Sequence, residues 1–159
     1  MLKIAVTSND PSLVLSAQAL ANQLDLPFTT VESDFDYTLI LTPSFLGLKK
    51  TDSSSLPLYV NFSSSEMNQR RKQISLRREA LARALGLKGN STPNIVDATA
   101  GLGRDSFILA ALGFNVTLLE RSPIAHALLQ DGLQRARQDS QICAIVSRLT
   151  LIQTDATIW

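Results

Sequence analysis

Along the chain, short unbroken apolar runs alternate with stretches in which apolar residues recur every three or four positions, the pattern of strands interleaved with helices. "LKIAV" (Leu2 to Val6) predicts a first strand, and Asp10-Pro11 supplies an N-cap followed by proline at the first helical position. In the helix that follows, Leu13, Ala17, Leu20 and Leu24 share one face and should be buried together. "DYTLILT" predicts a second strand, stopped at Thr42-Pro43, and "LPLYVNF" (Leu56 to Phe62) a third. "LKKTDSSS" between them and "SSSEMNQRRK" after Phe62 have the lysines and serines of surface connectors.

From Ser75 to Leu85, "SLRREALARAL" puts Leu76, Ala80, Leu81, Ala84 and Leu85 on one helical face, with Arg77, Arg78 and Arg83 largely off it and Gly86 and Gly89 as the stop. Beyond Pro93 the alternation becomes regular. "NIVDATA" predicts a buried strand, "RDSFILAAL" a helix closed by Gly113, and "NVTLLER" the next strand. Ser122-Pro123 then caps a long helix, Pro123 to Arg137, before a last strand in "RLTLIQTDA". Such alternation predicts parallel βαβ units with ligands at the carboxyl ends of the strands. Those ends, Asp97 to Gly103, Glu120-Arg121 and Thr154 to Ala156, should converge on one edge.

Composition narrows the classes. With 159 residues, 45% hydrophobic and 18% charged, the chain can bury a core as one domain or two small ones. No apolar run reaches about 18 residues and the N-terminus lacks a signal-peptide pattern, so the cytoplasm is the expected location and no membrane contact is expected. The single cysteine, Cys143, excludes an internal disulfide and reads as core filler; the single histidine, His126, reads as an ordinary helix residue, and no metal site is expected. The net charge of +1 conceals a local imbalance: Arg70, Arg71, Lys72, Arg77, Arg78, Arg83 and Lys88 face one acid, Glu79. Such a segment is either a polyanion contact or a solvated helix face.

The richest stretch chemically is "VDATAGLGRD", Val96 to Asp105. A dinucleotide fingerprint needs a third glycine, G-x-G-x-x-G, but Gly101-Leu102-Gly103 is followed by Arg104, Asp105 and Ser106; a P-loop needs a closing Gly-Lys-Ser/Thr, also absent. What remains is Asp97 on the strand, four residues before Gly101-x-Gly103, and an acid, Glu120, at the end of the following strand. A βαβ turn that binds nothing remains an alternative. The combination resembles class I S-adenosylmethionine-dependent methyltransferases, in which the glycines admit the methionine part of the cofactor and the second-strand acid accepts hydrogen bonds from both ribose hydroxyls. Thr99 stands where the commoner motif has its first glycine.

The longer string "VDATAGLGRDSFILAALGFNVTLLERSPIAHALLQDGL", Val96 to Leu133, with weaker similarity through "LTPSFLGLKK", "RRK", "LGLKG" and "LTLIQTDA", resembles the ribosomal small-subunit methyltransferase J family. That family methylates the exocyclic N2 of a guanine in 16S ribosomal RNA. The resemblance implies an α/β fold: the N-terminal part of a class I, Rossmann-like methyltransferase with a parallel sheet, preceded by a small α+β subdomain. The expected division is residues 1–68 for that subdomain, 69–92 for a basic linker helix and 93–159 for the first three strands of the cofactor domain. The resemblance also implies S-adenosylmethionine contacts at Asp97, Gly101, Gly103, Arg104, Asp105, Glu120, Arg121, Asp155 and Ala156, with Glu120 on the ribose and Asp155 near the adenine amino group. Arg104 and Arg121 have a competing reading as rim residues paired to nearby carboxylates. An RNA substrate implies that Arg70, Arg71 and Lys72 meet phosphates.

The groups that would hold the guanine amine in that family lie in an Asp-Pro-x-Phe-Pro motif on a fourth strand, which does not occur here, so no catalytic residue is assigned in this chain. The chain therefore reads as an N-terminal fragment, inactive alone, with an exposed sheet edge open to a homodimer or another partner. A non-catalytic nucleotide- or protein-binding module using that edge is the alternative function.

Overall fold

In the computed structural model, residues 2–77, 79–87 and 93–159 are described. Arg78, Lys88 and Gly89, cited above, lie outside them. The chain divides into two units, residues 1–60 and 61–159.

The first unit is a mixed three-stranded sheet with one helix. Strand β1 (Ile4–Thr7) pairs in parallel with β2 (Tyr37–Leu41), and β2 pairs antiparallel with β3 (Leu46–Lys50). Helix α1 (Val14–Leu24) lies in the β1 to β2 connection. The Asp10 carboxylate accepts the Ser12 N–H at 2.9 Å, as the Asp10-Pro11 signal predicts. Ala17 and Ala21 are the fully buried positions of α1, with Leu13, Leu20 and Leu24 half-buried beside them, so small residues set how closely the helix approaches the sheet. "LPLYVNF" is not a strand: it makes one bridge, where Leu58 and Leu48 exchange hydrogen bonds of 2.8 Å. Pro57 has no N–H to extend that pairing. Strand β3 pairs with β2 instead, its Leu48 to Lys50 falling in the stretch expected to be a surface connector.

The second unit carries the regular alternation. Helices α2 (Ser65–Gln73) and α3 (Ala80–Ala84) precede β4 (Asn94–Asp97), α4 (Arg104–Ala111), β5 (Asn115–Glu120), α5 (Pro123–Arg137), α6 (Cys143–Val146) and β6 (Leu149–Gln153). The sheet is parallel throughout in the order β4-β5-β6, with Asp97 opposite Leu118 and Glu120 opposite Gln153. Both crossovers step the same way, and right-handed connections then put α4 and α5 on one face. The Ser122 hydroxyl caps α5 by accepting the Ala125 N–H at 3.3 Å.

The helix expected over Ser75 to Leu85 shortens to α3. Glu79 is the extended N-cap residue of α3 (φ −73°, ψ 114°), and its carboxylate accepts from Arg70 at 2.7 Å. Cys143 is half-buried; its neighbours Ile142 and Val146 are the core residues. Strand β4 is not buried as expected: among the described residues only β5 pairs with it, and Val96 is 45% exposed. The core of the unit is Phe107, Ile108, Leu118, Leu129, Leu133, Ile142 and Val146, with the Phe107 ring stacked on Phe62 at 4.9 Å between centroids. Phe107→Ala should lower stability by about 3–5 kcal/mol, read as a shifted urea midpoint with unchanged slope.

Candidate functional site

Three parallel strands ending side by side leave backbone N–H groups pointing into one space, and polar side chains there decide its shape. At the end of β5, Glu120 governs the arrangement. Its Oε2 accepts the Gly101 N–H at 2.9 Å, its Oε1 accepts the Ser122 N–H at 2.7 Å, and its carbonyl accepts the Thr154 N–H at 3.1 Å. One residue thereby joins the turn after β4, the cap of α5 and the end of β6. Each carboxylate oxygen still has lone-pair capacity for one further donor.

The turn after β4 is fixed from within. Asp97 Oδ1 accepts the Thr99 N–H at 3.1 Å, and Asp97 Oδ2 accepts the hydroxyl of Ser106, a fully buried residue, at 2.5 Å. Ser106 was not singled out from the sequence; a serine in the first turn of a helix carries no signal until the strand end comes to lie beside it. The two glycines have separate reasons. Gly103 (φ +71°) starts α4, and a methyl there would lie 2.8 Å from Leu129 Cδ1 and 3.4 Å from Leu118 and Phe62. Gly101 (φ +53°) has open space where a side chain would be, with only the Thr99 carbonyl oxygen at 3.9 Å.

Gly101 also lines a cavity of about 420 Å³, bounded by Glu120, Arg121, Thr154, Asp155 and Ala156 as well. A second cavity, about 650 Å³, lies along β4 and the start of α4, bounded by Leu81, Leu85, Asp97, Leu102, Arg104 and Asp105. Ala98 and Thr99 line both. The predicted strand-end residues are thus brought together, but in two adjoining groups. Arg121 stands at the rim, 3.8 Å from Asp155. The Thr157 backbone N–H and hydroxyl hold the Asp155 carboxyl below its ordinary pKa, with the charge of Arg121 acting the same way. His126, on the first turn of α5, is held below its ordinary pKa by burial, against the pull of Glu120.

The basic segment is less free than its charge suggests. Arg70 Nη2 is 2.7 Å from Glu79 Oε1 and 3.5 Å from Asp105 Oδ1. Burial alone would lower the Arg70 pKa, but its hydrogen bond to Glu79 and the charges of Glu79 and Asp105 outweigh this and raise it. Arg71 donates to the Gln141 carbonyl at 3.2 Å and to Asn68 Oδ1 at 3.1 Å. Lys72, Arg77 and Arg83 are exposed.

Residues 19–159 match the family described as "Putative SAM-dependent methyltransferase". The chain belongs to this SAM-dependent methyltransferase family. It is 42% identical over 158 residues to ribosomal RNA small subunit methyltransferase J of Thioalkalivibrio sulfidiphilus, covering 99% of this chain and 62% of that protein. It is 47% identical over 150 residues to the protein of the same name from Aeromonas salmonicida, covering 92% of this chain and 58% of that one. A SAM-dependent methyltransferase of known structure from Neisseria gonorrhoeae superimposes with a TM-score of 0.78 at 27% identity, over 97% of this chain and 61% of its own. The chain therefore spans about 60% of the length of these relatives. The Rossmann-like methyltransferase fold expected from "VDATAGLGRD" is the one observed.

The family's cofactor fits the donor set. Spare lone pairs on Glu120 suit vicinal hydroxyls, the bare Gly101 leaves room for a ligand, and the acids of the second cavity suit a cationic group. The contrast between the glycines is testable. Gly103→Ala should cost roughly 2–4 kcal/mol in thermal or urea unfolding, from overpacking and backbone strain together. Gly101→Ala should cost only about 1–2 kcal/mol of strain and act mainly by obstructing ligand binding, read by calorimetry.

Proposed function

We propose that this chain forms the cofactor-binding part of an S-adenosylmethionine-dependent methyltransferase whose substrate is the exocyclic N2 of a guanine in 16S ribosomal RNA, acting in the cytoplasm. The observation that supports this best is the Glu120 carboxylate, held by two backbone N–H groups at the wall of the 420 Å³ cavity with lone pairs to spare. Glu120 takes the ribose hydroxyls, while Asp155 and Ala156 lie along the adenine and Gly101 gives the ligand room. Asp97, Arg104 and Asp105 line the adjoining cavity and take the methionyl end: Arg104 its carboxylate, the acids its ammonium. Arg121 stays at the rim with Asp155. The bound cofactor supplies a methyl group on a sulfonium.

Guanine N2 is a weak nucleophile because its lone pair is delocalised into the ring, so its position and the acceptance of its proton matter most. The guanine reaches a buried methyl donor only unstacked. In the basic segment, Lys72, with Arg77 and Arg83, offers exposed charge for RNA phosphates, while Arg71 also holds the turn at Gln141. Among the described residues none is assigned to the amine.

S-adenosylhomocysteine should raise the melting temperature of the purified chain, NAD should not, and Glu120→Ala should weaken the nucleoside by at least about tenfold in calorimetry. Equal stabilisation by NAD would overturn the cofactor assignment. A second reading, a partner-binding module or homodimer, is favoured by one observation, the edge of β4 that pairs with no strand among the described residues, with Val96 45% exposed. It predicts a defined dimer by light scattering, lost in Val96→Lys.

A further inference from the structure

Arg70 belongs by sequence to the basic segment, yet its guanidinium is engaged with two carboxylates from different elements. Nη2 meets Glu79 Oε1 at 2.7 Å, and Nη1 and Nη2 both lie 3.5 Å from Asp105 Oδ1. Glu79 immediately precedes α3, whose Leu81, with Leu85 just beyond its end, walls the 650 Å³ cavity; Asp105, on the first turn of α4, walls it too. Arg70, in the last turn of α2, therefore ties two walls of one cavity to a single side chain. Nη2 alone lies within reach of both acids, 2.7 Å from Glu79 and 3.5 Å from Asp105, and the planar guanidinium fixes the direction of its donors in a way that a freely rotating ammonium on a lysine does not.

The two contacts are unequal, and the inequality has a chemical consequence. Glu79, with its side chain 15% exposed, takes the short contact; Asp105, 65% exposed, is held only by the long one. Two carboxylates against one guanidinium leave the cluster with a net negative charge. Asp105 is thus oriented toward the cavity without being neutralised, the condition needed to receive a ligand cation.

We infer that Arg70 is a positioning residue for the methionyl half of the cofactor, acting through Asp105, and that it is not a phosphate contact of the RNA. The inference rests on the proposed cofactor reading and sharpens it, because it assigns Arg70 to one cavity and leaves the Glu120 cavity independent of it. It makes the affinity for a ligand with a methionyl end depend on Arg70, while a ligand confined to the nucleoside end is indifferent to it.

The test uses the full chain and two probes: S-adenosylhomocysteine, which has the amino-acid end, and 5′-methylthioadenosine, which lacks it. By calorimetry, Arg70→Gln should weaken S-adenosylhomocysteine about tenfold and change methylthioadenosine by less than about twofold. Arg70→Lys should recover part of the loss. Asp105→Asn should produce a similar loss, and the double variant should be no weaker than Asp105→Asn, the coupling expected of two residues acting as one unit. Binding of a single-stranded ribosomal RNA fragment should keep its salt dependence in Arg70→Gln, whereas Lys72→Gln should reduce the slope of log affinity against log salt by about one. An equal loss of both probes, no loss of either, or a slope reduced by Arg70→Gln would overturn the inference. If Arg70→Gln fails to fold, the ratio of the two affinities in Arg70→Lys carries the same decision. Failure of the unaltered chain to bind either probe would instead overturn the cofactor reading itself.

Discussion

The geometry of the strand ends depends on where the Glu120 carboxylate sends its two oxygens. Parallel strands that stop side by side leave donors facing a shared space, and a buried N–H without an acceptor costs about 1–3 kcal/mol. Glu120 supplies acceptors to Gly101 and Ser122, and its carbonyl supplies one to Thr154. Segments far apart in sequence are thereby held around one residue. The same carboxylate is the group best suited to a ribose, so the part that shapes the site is also a part that binds. Preorganisation follows, because the carboxylate does not have to be ordered when a ligand arrives.

Around that centre the chain shows an economy in small residues. Gly103 is required by its neighbours, since Leu129, Leu118 and Phe62 fill the space a side chain would need. Gly101 is required by its own backbone angle and by the room it leaves. Asp97 is held by Ser106 and Thr99 in the same way that Glu120 is held by Gly101 and Ser122. The two acids thus enter the site already oriented, each from the end of a different strand.

How much of this was legible in the sequence depended on whether the deciding contact is local. Helix α5 is bounded as expected because Ser122 and Pro123 set its start by contacts within one turn. Strands β4, β5 and β6 were found from their apolar runs, but the exposure of β4 was not, because a run of residues does not reveal how many neighbours pair with it. Strand β3 ends in Lys49 and Lys50, which look like a loop until they pair with Thr38 and Tyr37. The helix expected over Ser75 to Leu85 starts only at Ala80, after an extended Glu79 that accepts from Arg70, a residue nine positions away that local periodicity does not register. The same contact explains why a count of basic residues overstated the free charge in that segment. The glycine turn and Glu120 were legible because their spacing is itself the signal.

The meeting of the two cavities at Ala98 and Thr99 has a consequence for inhibitor chemistry. Small molecules selected separately for the chamber beside Glu120 and the chamber beside Asp105 would end within reach of each other across these two residues. A short tether then turns the second encounter into an intramolecular one, and affinity rises through effective concentration without any new contact. The chamber beside Asp105 is the larger of the two, about 650 Å³ against about 420 Å³, and it is the place to vary the scaffold.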